Sequence, residues 1–412
     1  MPTLCGMTAT LYAPTLLYDG TTNPPRSGCG VVVEGGVVRA VGPVGDIQAR
    51  ATVVEHLEGT LLPGLMDCHT HVVLAATADP AATFRTESRT RTTARALGHL
   101  AAHLCAGVTT IRDLGGGPDG VDLELMRAVE RGEIPGPRMM AAGALVAMTG
   151  GHACYLGLEA DGPEDVRRAV RRQLKAGAAV IKVVATGGII SAGVDPGSPQ
   201  MTLAELQAAV EEARKAGRRV AAHAQGTQGI LNALHAGVHS IEHGFWLDDA
   251  CVALMASHGT FYVATFAAAQ GMLDHLDALP PFIRRKMEAL GDSHAQSFSR
   301  ALAANLNLAA GTDAGTPFNP HGTLWREVSL LQRHGASPVA ALFAATGGAA
   351  ALLGRDDLGV LKPGALADLV LVRGDPTQQP DALKDVLAVW QGGRAVDLIT
   401  MRALAHHLSP AH

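Results

Sequence analysis

Hydrophobic and polar positions change their spacing twice along the chain. From about Thr60 to about residue 357, short apolar runs of strand length alternate with amphipathic stretches of helical length. The predicted helices cover Thr93–Cys105, Leu123–Arg131, Pro163–Ala176, Leu203–Ala216, Gly226–Ala236, Phe282–Asn305 and Pro338–Leu353. After a first strand that ends near Thr70, the predicted strands are Gly107–Asp113, Arg138–Val146, Ala179–Ala185, Arg219–His223, His239–His243, Thr260–Thr265 and Asn307–Thr312.

Strands that alternate with helices are typical of a parallel sheet, so the chain is predicted to be an α/β protein. About eight such units over about 300 residues fit a closed (β/α)8 TIM barrel at residues 60–357. A doubly wound open sheet is the alternative. An open sheet would not bring together polar residues from strands that are spread over residues 60–357.

Both ends of the chain show the spacing of short β-strands. Residues 1–59 contain apolar runs at 9–13, 30–34 and 37–41, and Gly35-Gly36 between the last two predicts a tight hairpin. Residues 358–412 return to the same pattern, with runs at 361–372 and 386–391. Because neither end is large enough to form a core alone, we expect the two to pair into one small composite β-sandwich domain beside the barrel.

Composition narrows the class of function. The chain has 412 residues, of which 47% are hydrophobic and 17% charged, and its net charge is 33 − 38 = −5. No basic block is present, so nucleic acid and membrane surfaces are not expected as partners, and a small-molecule substrate is. Six scattered cysteines and the lack of a signal-peptide pattern predict a cytoplasmic protein with reduced thiols.

Two histidines stand where the first barrel strand ends. His69 and His71 follow the apolar run 61–66 and are separated by one residue. Alternate side chains of an extended strand share a face, so the two imidazoles point the same way. Paired imidazoles at the end of a strand are suitable metal ligands.

Four further polar residues lie in or directly after other predicted strands: Lys182, His223, His243 and Asp313. Since the active site of such a barrel lies at the C-terminal ends of its strands, all six residues are predicted to meet in a two-metal hydrolytic centre. Lys182 lies within an apolar run, where a buried ammonium group is unfavourable. It is either a carbamate, formed with CO₂, that bridges two cations, or a lysine that extends to the barrel mouth to pair with an acid.

Five motifs together resemble the amidohydrolase superfamily, and within it the branch of metal-dependent Xaa-Pro and Xaa-Arg dipeptidases, which includes N-acyl-amino-acid and ochratoxin amidohydrolases. They are Pro63–His71, Gly107–Gly115, Ile181–Val183, Ser240–Gly244 and Gly311–Asp313. The resemblance covers essentially the whole chain. It implies that His69, His71 and Asp313 hold one ion and that His223 and His243 hold the other, with carbamylated Lys182 between them.

The resemblance also implies the chemistry and the assembly of the protein. Two divalent ions, by preference Zn²⁺, would generate a bridging hydroxide that attacks an amide carbonyl. Asp313 would transfer a proton to the leaving amine, and His152, in the motif Thr149–His152, would bind the carbonyl oxygen or its oxyanion. Gln225 occupies a substrate-binding position at which some relatives have tyrosine. Family habit favours a homo-oligomer.

Other polar residues near the barrel mouth have weaker assignments. Arg85, Arg89 and Arg91 form a cluster that could receive a substrate carboxylate or could simply begin a solvated helix. His321 is expected to serve packing rather than catalysis.

The predicted function is therefore cleavage of the amide bond of Xaa-Pro-like dipeptides or N-acyl amino acids. One alternative is a cyclic-amide hydrolase of the imidazolonepropionase or dihydroorotase kind. Another is a non-catalytic scaffold, which predicts the loss of ligands, whereas all six are present.

Overall fold

The structure, a computed structural model, describes residues 8–408. Its strands are β1 (Thr10–Leu17), β2 (Cys29–Glu34), β3 (Val37–Pro43), β4 (Val53–Pro63), β5 (Leu65–Thr70), β6 (Val108–Asp113), β7 (Arg138–Ala141), β8 (Leu145–Ala147), β9 (Gly157–Glu159), β10 (Val180–Val184), β11 (Arg219–Ala224), β12 (Ser240–His243), β13 (Phe261–Val263), β14 (Leu369–Val372), β15 (Val386–Gln391) and β16 (Arg394–Ala395). The helices are α1 (Val44–Ile47), α2 (Pro80–Thr86), α3 (Arg89–Cys105), α4 (Val121–Glu130), α5 (Pro163–Ala176), α6 (Leu203–Lys215), α7 (Thr227–Ala236), α8 (Asp249–His258), α9 (Phe266–Leu273), α10 (Pro281–Leu290), α11 (Ser293–Ala303), α12 (Leu324–Arg333), α13 (Pro338–Ala344), α14 (Gly347–Leu353) and α15 (Leu398–Leu408).

The barrel is built from parallel strands in sequence order. β5, β6 and β7 form one sheet, and β8, β10, β11, β12 and β13 follow one another in a second, to which β9 adds at the edge of β8. The third barrel strand, predicted as one, is divided into β7 and β8, because Gly143 has a positive φ of 68° and turns the backbone between them. The predicted barrel and its α/β class are confirmed.

The segment predicted as the last strand, Asn307–Thr312, occupies the eighth position of the barrel. It pairs with its neighbours through isolated β-bridges and single hydrogen bonds instead of a regular strand ladder. Leu308 pairs with Tyr262 of β13 on one side. On the other side the Cys68 amide donates to the Ala310 carbonyl at 2.9 Å, and the Asp313 amide donates to the His69 carbonyl at 2.7 Å. These bonds close the barrel and place Asp313 beside the end of β5.

The two ends of the chain form one seven-stranded sheet in the order β16-β15-β14-β4-β1-β2-β3. Strand β4 joins them, since it runs parallel to β1 and antiparallel to β14, with Leu369 opposite Pro63. Strands from both ends of the chain thus form one composite domain, in which the ring centroids of Tyr12 on β1 and Trp390 on β15 lie 5.0 Å apart. The predicted hairpin forms between β2 and β3, where Gly35 and Gly36 both have positive φ. The domain boundaries at 59 and 357 stay predictions.

Local sequence signals explain where the helices begin and end. Helix α5 has the predicted bounds, with Pro163 in its first turn and Gly177 in the left-handed conformation after its last residue. Helix α6 begins with a capping box between Thr202 and Glu205. The single helix predicted at 282–305 is two, α10 and α11, because Gly291 with φ of +50° interrupts it.

Cys29, Cys68, Cys105, Cys154 and Cys251 are unpaired, and Cys5 lies outside the described residues. Among residues 8–408, no helix is long and apolar enough to cross a membrane.

Candidate metal centre

His69, His71 and Asp313 meet at the C-terminal end of the barrel. The Asp313 Oδ1 atom lies 3.4 Å from His69 Nε2 and 3.2 Å from His71 Nε2. One ligand atom from each residue lies within 4.8 Å of the others, and all three residues are buried. Two imidazoles and a carboxylate at this spacing form a donor set suited to a divalent transition ion.

The position of Asp313 depends on a buried carboxylate one strand away. Asp67 of β5 accepts hydrogen bonds from the Thr312 amide at 2.9 Å and from its hydroxyl at 2.6 Å. Asp313 itself is held in the left-handed region with φ of +57°, as are His243 with +72° and Thr265 with +57°. Non-glycine residues adopt this conformation at a cost of about 1–3 kcal/mol, and such strain concentrates at functional sites.

Lys182 of β10 reaches the same point from the other side of the barrel. Its Nζ lies 3.4 Å from His69 Nε2, and the residue is only 3% exposed. Strand alternation explains the orientation, because Ile181 and Val183 belong to the core cluster between barrel and helices while Lys182 lines the cavity. Burial lowers the pKa of the Lys182 amine to about 8, although Glu242 and Asp313 oppose this effect.

His223 and His243 lie next to this group. Their ring centroids are 4.6 Å apart, and the His243 ring is 5.1 Å from that of His69. The Nε2 atom of His223 is hydrogen-bonded to the Gly187 carbonyl at 2.8 Å, and His243 Nδ1 is bonded to the Thr265 hydroxyl at 2.8 Å. Each ring therefore keeps its other nitrogen for a metal ion. Burial lowers the pKa of His223 to about 3, so the ring is neutral at physiological pH.

These side chains fit a metal centre because they carry nitrogen and oxygen donors that can bind an ion. Burial also holds the pKa values of His69 and His243 well below the usual range, so both rings keep a lone pair for an ion. The structure thus brings all six residues that were predicted from the sequence into the lining of one cavity. Their ligand roles stay predictions.

A charged network behind His69 was missed by the sequence reasoning. Glu242 of β12 accepts a hydrogen bond from His69 Nδ1 at 2.8 Å through Oε2, and through Oε1 from Arg112 at 2.8 Å. Arg112 of β6 also donates to the Cys68 carbonyl and the Ser240 hydroxyl. A carboxylate here accepts only, so the proton of His69 lies on Nδ1 and Nε2 faces the centre. The available signal was that Arg112 and Glu242 are charged residues inside short predicted barrel strands.

The cavity at the centre has two lobes, and the residues that line both include His152, His223 and Asp313. The first lobe is also lined by His69, His71, Lys182 and Val184, and by Leu74, Leu145, Ala153, Tyr155 and Leu156. The second lobe is also lined by Ile189, Gln225, Phe245, Thr265, Ala268, Ala269 and Met272.

The two predicted substrate-binding residues both line this cavity. His152 Nδ1 is hydrogen-bonded to the Ser191 hydroxyl at 2.9 Å, and its ring lies 4.3 Å from that of His223. Gln225 is buried in the second lobe, and its side-chain carbonyl oxygen has no hydrogen-bond partner among the described residues. Their roles toward a substrate stay predictions.

The remaining candidates lie outside the centre. His321 stacks on His99 at 3.9 Å and is hydrogen-bonded to His103 at 3.1 Å, which is the expected packing role. Arg89 donates to the Asp119 carbonyl, and Arg91 pairs with Glu87 on the surface of α3. Arg85 alone of the three arginines approaches the cavity wall, with its guanidinium carbon 5.5 Å from the ring centroid of Tyr155.

Comparison with known proteins agrees with the fold. The model of the amidohydrolase family matches residues 60–396. Ochratoxinase from Aspergillus niger is 31% identical over 92% of this chain and 86% of its own sequence. The crystal structure of a Xaa-Pro dipeptidase with methionine in the active site is 31% identical, with a TM-score of 0.86 over 94% of this chain and all of that one. The chain therefore belongs to the amidohydrolase family and is a hydrolase that acts on amide bonds.

Proposed function

We propose that the protein is a binuclear metal-dependent amidohydrolase that cleaves dipeptides of the Xaa-Pro kind or N-acyl amino acids. The observation that carries the proposal is the convergence at His69. Both Lys182 Nζ and Asp313 Oδ1 lie 3.4 Å from His69 Nε2, although the three residues come from different strands. His69, His71 and Asp313 would hold one ion, His223 and His243 the other, and Lys182 as a carbamate would bridge them.

Two divalent ions, by preference Zn²⁺, would supply an acidified water and a polarised carbonyl when bound. The residues of the chain would supply the rest. Asp313 lies at the centre with one carboxylate oxygen between two imidazoles, where it would take a proton and pass it to the leaving amine. His152, which lines the same cavity, would donate a hydrogen bond to the substrate carbonyl as negative charge develops on its oxygen.

The substrate class is supported by the relatives and by the shape of the cavity. The similar proteins carry the names ochratoxinase and Xaa-Pro dipeptidase. Two lobes that meet at His152, His223 and Asp313 give separate space to the acyl half and the amine half of an amide. In the second lobe, the free oxygen of Gln225 would accept a hydrogen bond from the substrate.

The test is a screen of dipeptides, N-acyl amino acids and cyclic amides with zinc-loaded protein, with metal-depleted protein as the control. We expect two ions per chain by elemental analysis and hydrolysis of linear amides that ends when the metal is removed. Turnover of cyclic amides alone would refute the substrate class. Fewer than one ion per chain after careful reconstitution would refute the binuclear centre.

A further inference from the structure

Tyr155 has a feature that the chemistry above does not use. It follows β8 in the loop after His152 and lines the first lobe of the cavity. Its hydroxyl oxygen is buried and has no hydrogen-bond partner among the described residues. A buried hydroxyl without a partner costs about 1–3 kcal/mol, and a ligand that accepts its hydrogen bond removes that cost.

The surroundings of Tyr155 favour an anionic ligand. The Arg85 guanidinium carbon lies 5.5 Å from the Tyr155 ring centroid, and among residues 8–408 Arg85 has no ion-pair partner. Phe84 contacts the same ring, at 6.0 Å between centroids, and so fixes the tyrosine between α2 and the cavity. Tyr155 lines the same lobe as Lys182 and Asp313, which places the tyrosine near the metal centre.

The second lobe differs from the first in the charges on its wall. Apart from Gln225, Thr265 and the residues that it shares with the first lobe, its wall consists of the apolar side chains of Ile189, Phe245, Ala268, Ala269 and Met272. The described residues that line it include no arginine or lysine, and Gln225 is neutral. A carboxylate placed there would lose its hydration without gaining a cation, which is strongly unfavourable. The second lobe therefore suits an uncharged acyl group.

We propose that Tyr155 and Arg85 bind the carboxylate of the substrate, so that the amino-acid half lies in the first lobe and an apolar acyl half lies in the second. The proposal rests on the proposed function, because it orients an N-acyl amino acid about the same centre. The Tyr155 hydroxyl donates to one carboxylate oxygen, and Arg85 supplies the compensating charge at the mouth of the lobe. The substrate class is then an amino acid with a free carboxylate that carries an uncharged acyl group.

The experiment compares an N-acyl amino acid with its C-terminal amide as matched substrates of the zinc-loaded enzyme. Tyr155→Phe and Arg85→Met are each expected to raise KM for the carboxylate substrate about 10-fold or more, with little effect on kcat, and to leave KM for the amide within about twofold. Tyr18→Phe in the β-domain and Arg91→Gln on the exposed face of α3 are the matched controls and should change neither value.

Equal losses on both substrates would overturn the proposal, because they would mean that Tyr155 acts on the scissile group. If wild-type protein hydrolysed neither substrate, the proposed function would fail. The carboxylate site would then be judged by calorimetric binding of the same two compounds. Weaker binding of the acid alone to Tyr155→Phe would support the site, and unchanged binding of both compounds would refute it.

Discussion

The network behind His69 allows a sharp prediction for Glu242→Gln. The two carboxylate oxygens of Glu242 accept from opposite sides, Oε2 from His69 and Oε1 from Arg112 and Ser240. A glutamine has the same shape but only one acceptor, and its amide nitrogen donates. The nitrogen must therefore face another donor, either the Nδ1–H of His69 or the guanidinium of Arg112.

The free-energy cost of each glutamine orientation can be estimated. If the amide faces His69, the ring proton moves to Nε2 and the lone pair needed by an ion is lost. If it faces Arg112, a charge-assisted hydrogen bond worth about 1.5–3 kcal/mol is lost inside the protein. Removal of such an outer partner of a metal-bound histidine lowers metal affinity about 10–100-fold, which is about 1.4–2.8 kcal/mol. We expect Glu242→Gln to show that loss of affinity together with a lower unfolding midpoint of the metal-free protein.

Metal affinity is measured by competition with a chromophoric chelator, and stability by urea unfolding of the metal-free protein. Glu133→Gln is the matched control, since Glu133 pairs with Arg131 on the exposed surface. It should change neither quantity. A Glu242→Gln variant that binds zinc within about twofold of wild type and also keeps the wild-type unfolding midpoint would refute the claim that Glu242 holds both His69 and Arg112.

Three further predictions concern other buried groups. Lys182→Met should reduce bound zinc from two ions to at most one per chain, and elemental analysis that still finds two would contradict the bridging role. Asp313→Asn should lower kcat by about 10²-fold or more at matched metal content, and near-normal turnover would exclude the proton-transfer role. Burial raises the pKa of Glu327 from 4.5 to about 8, so the folded state keeps a proton that the unfolded state releases, and stability falls as pH rises through that interval. Glu327→Gln should make this fall smaller, because Asp67 and Asp122, whose pKa values burial raises to about 7 and about 8, still contribute to it. Thermal unfolding of both proteins at about pH 5 and about pH 8 measures the fall, and an equal fall in the two proteins would contradict the prediction.

The positions of the centre could be predicted because they depend on strand periodicity. His69 and His71 point to the same face because side chains alternate along a strand. In the structure both are buried at the C-terminal end of β5. The same alternation of side chains directs Lys182 toward the cavity and directs Ile181 and Val183 toward the helices. Parallel strands in a closed barrel then bring all such ends to one rim, whatever their separation in sequence.

Other features could not be predicted because they depend on distances across the barrel. Glu242 stands between Ile241 and His243, and only the packed structure shows that its partners are His69 and Arg112. Tyr155 lies in a loop whose sequence shows no periodicity. The break of the predicted helix 282–305 at Gly291 depends on a backbone conformation that glycine permits but does not require.

The charges in the cavity give a physical reason for a modified Lys182. Burial favours the neutral form of His69, His223 and His243, and Glu242 is balanced by Arg112. Among the described residues that line the cavity, Asp313 is then the one carboxylate available to two divalent ions. An ammonium group at the centre would repel both ions. Loss of one proton from the ammonium form gives the neutral amine, and addition of CO₂ with loss of a second proton would give a carbamate. The charge of the side chain would then change from +1 to −1, and two oxygen ligands would be added. Burial lowers the pKa of Lys182 to about 8, which favours the neutral amine that the proposed carbamate would need.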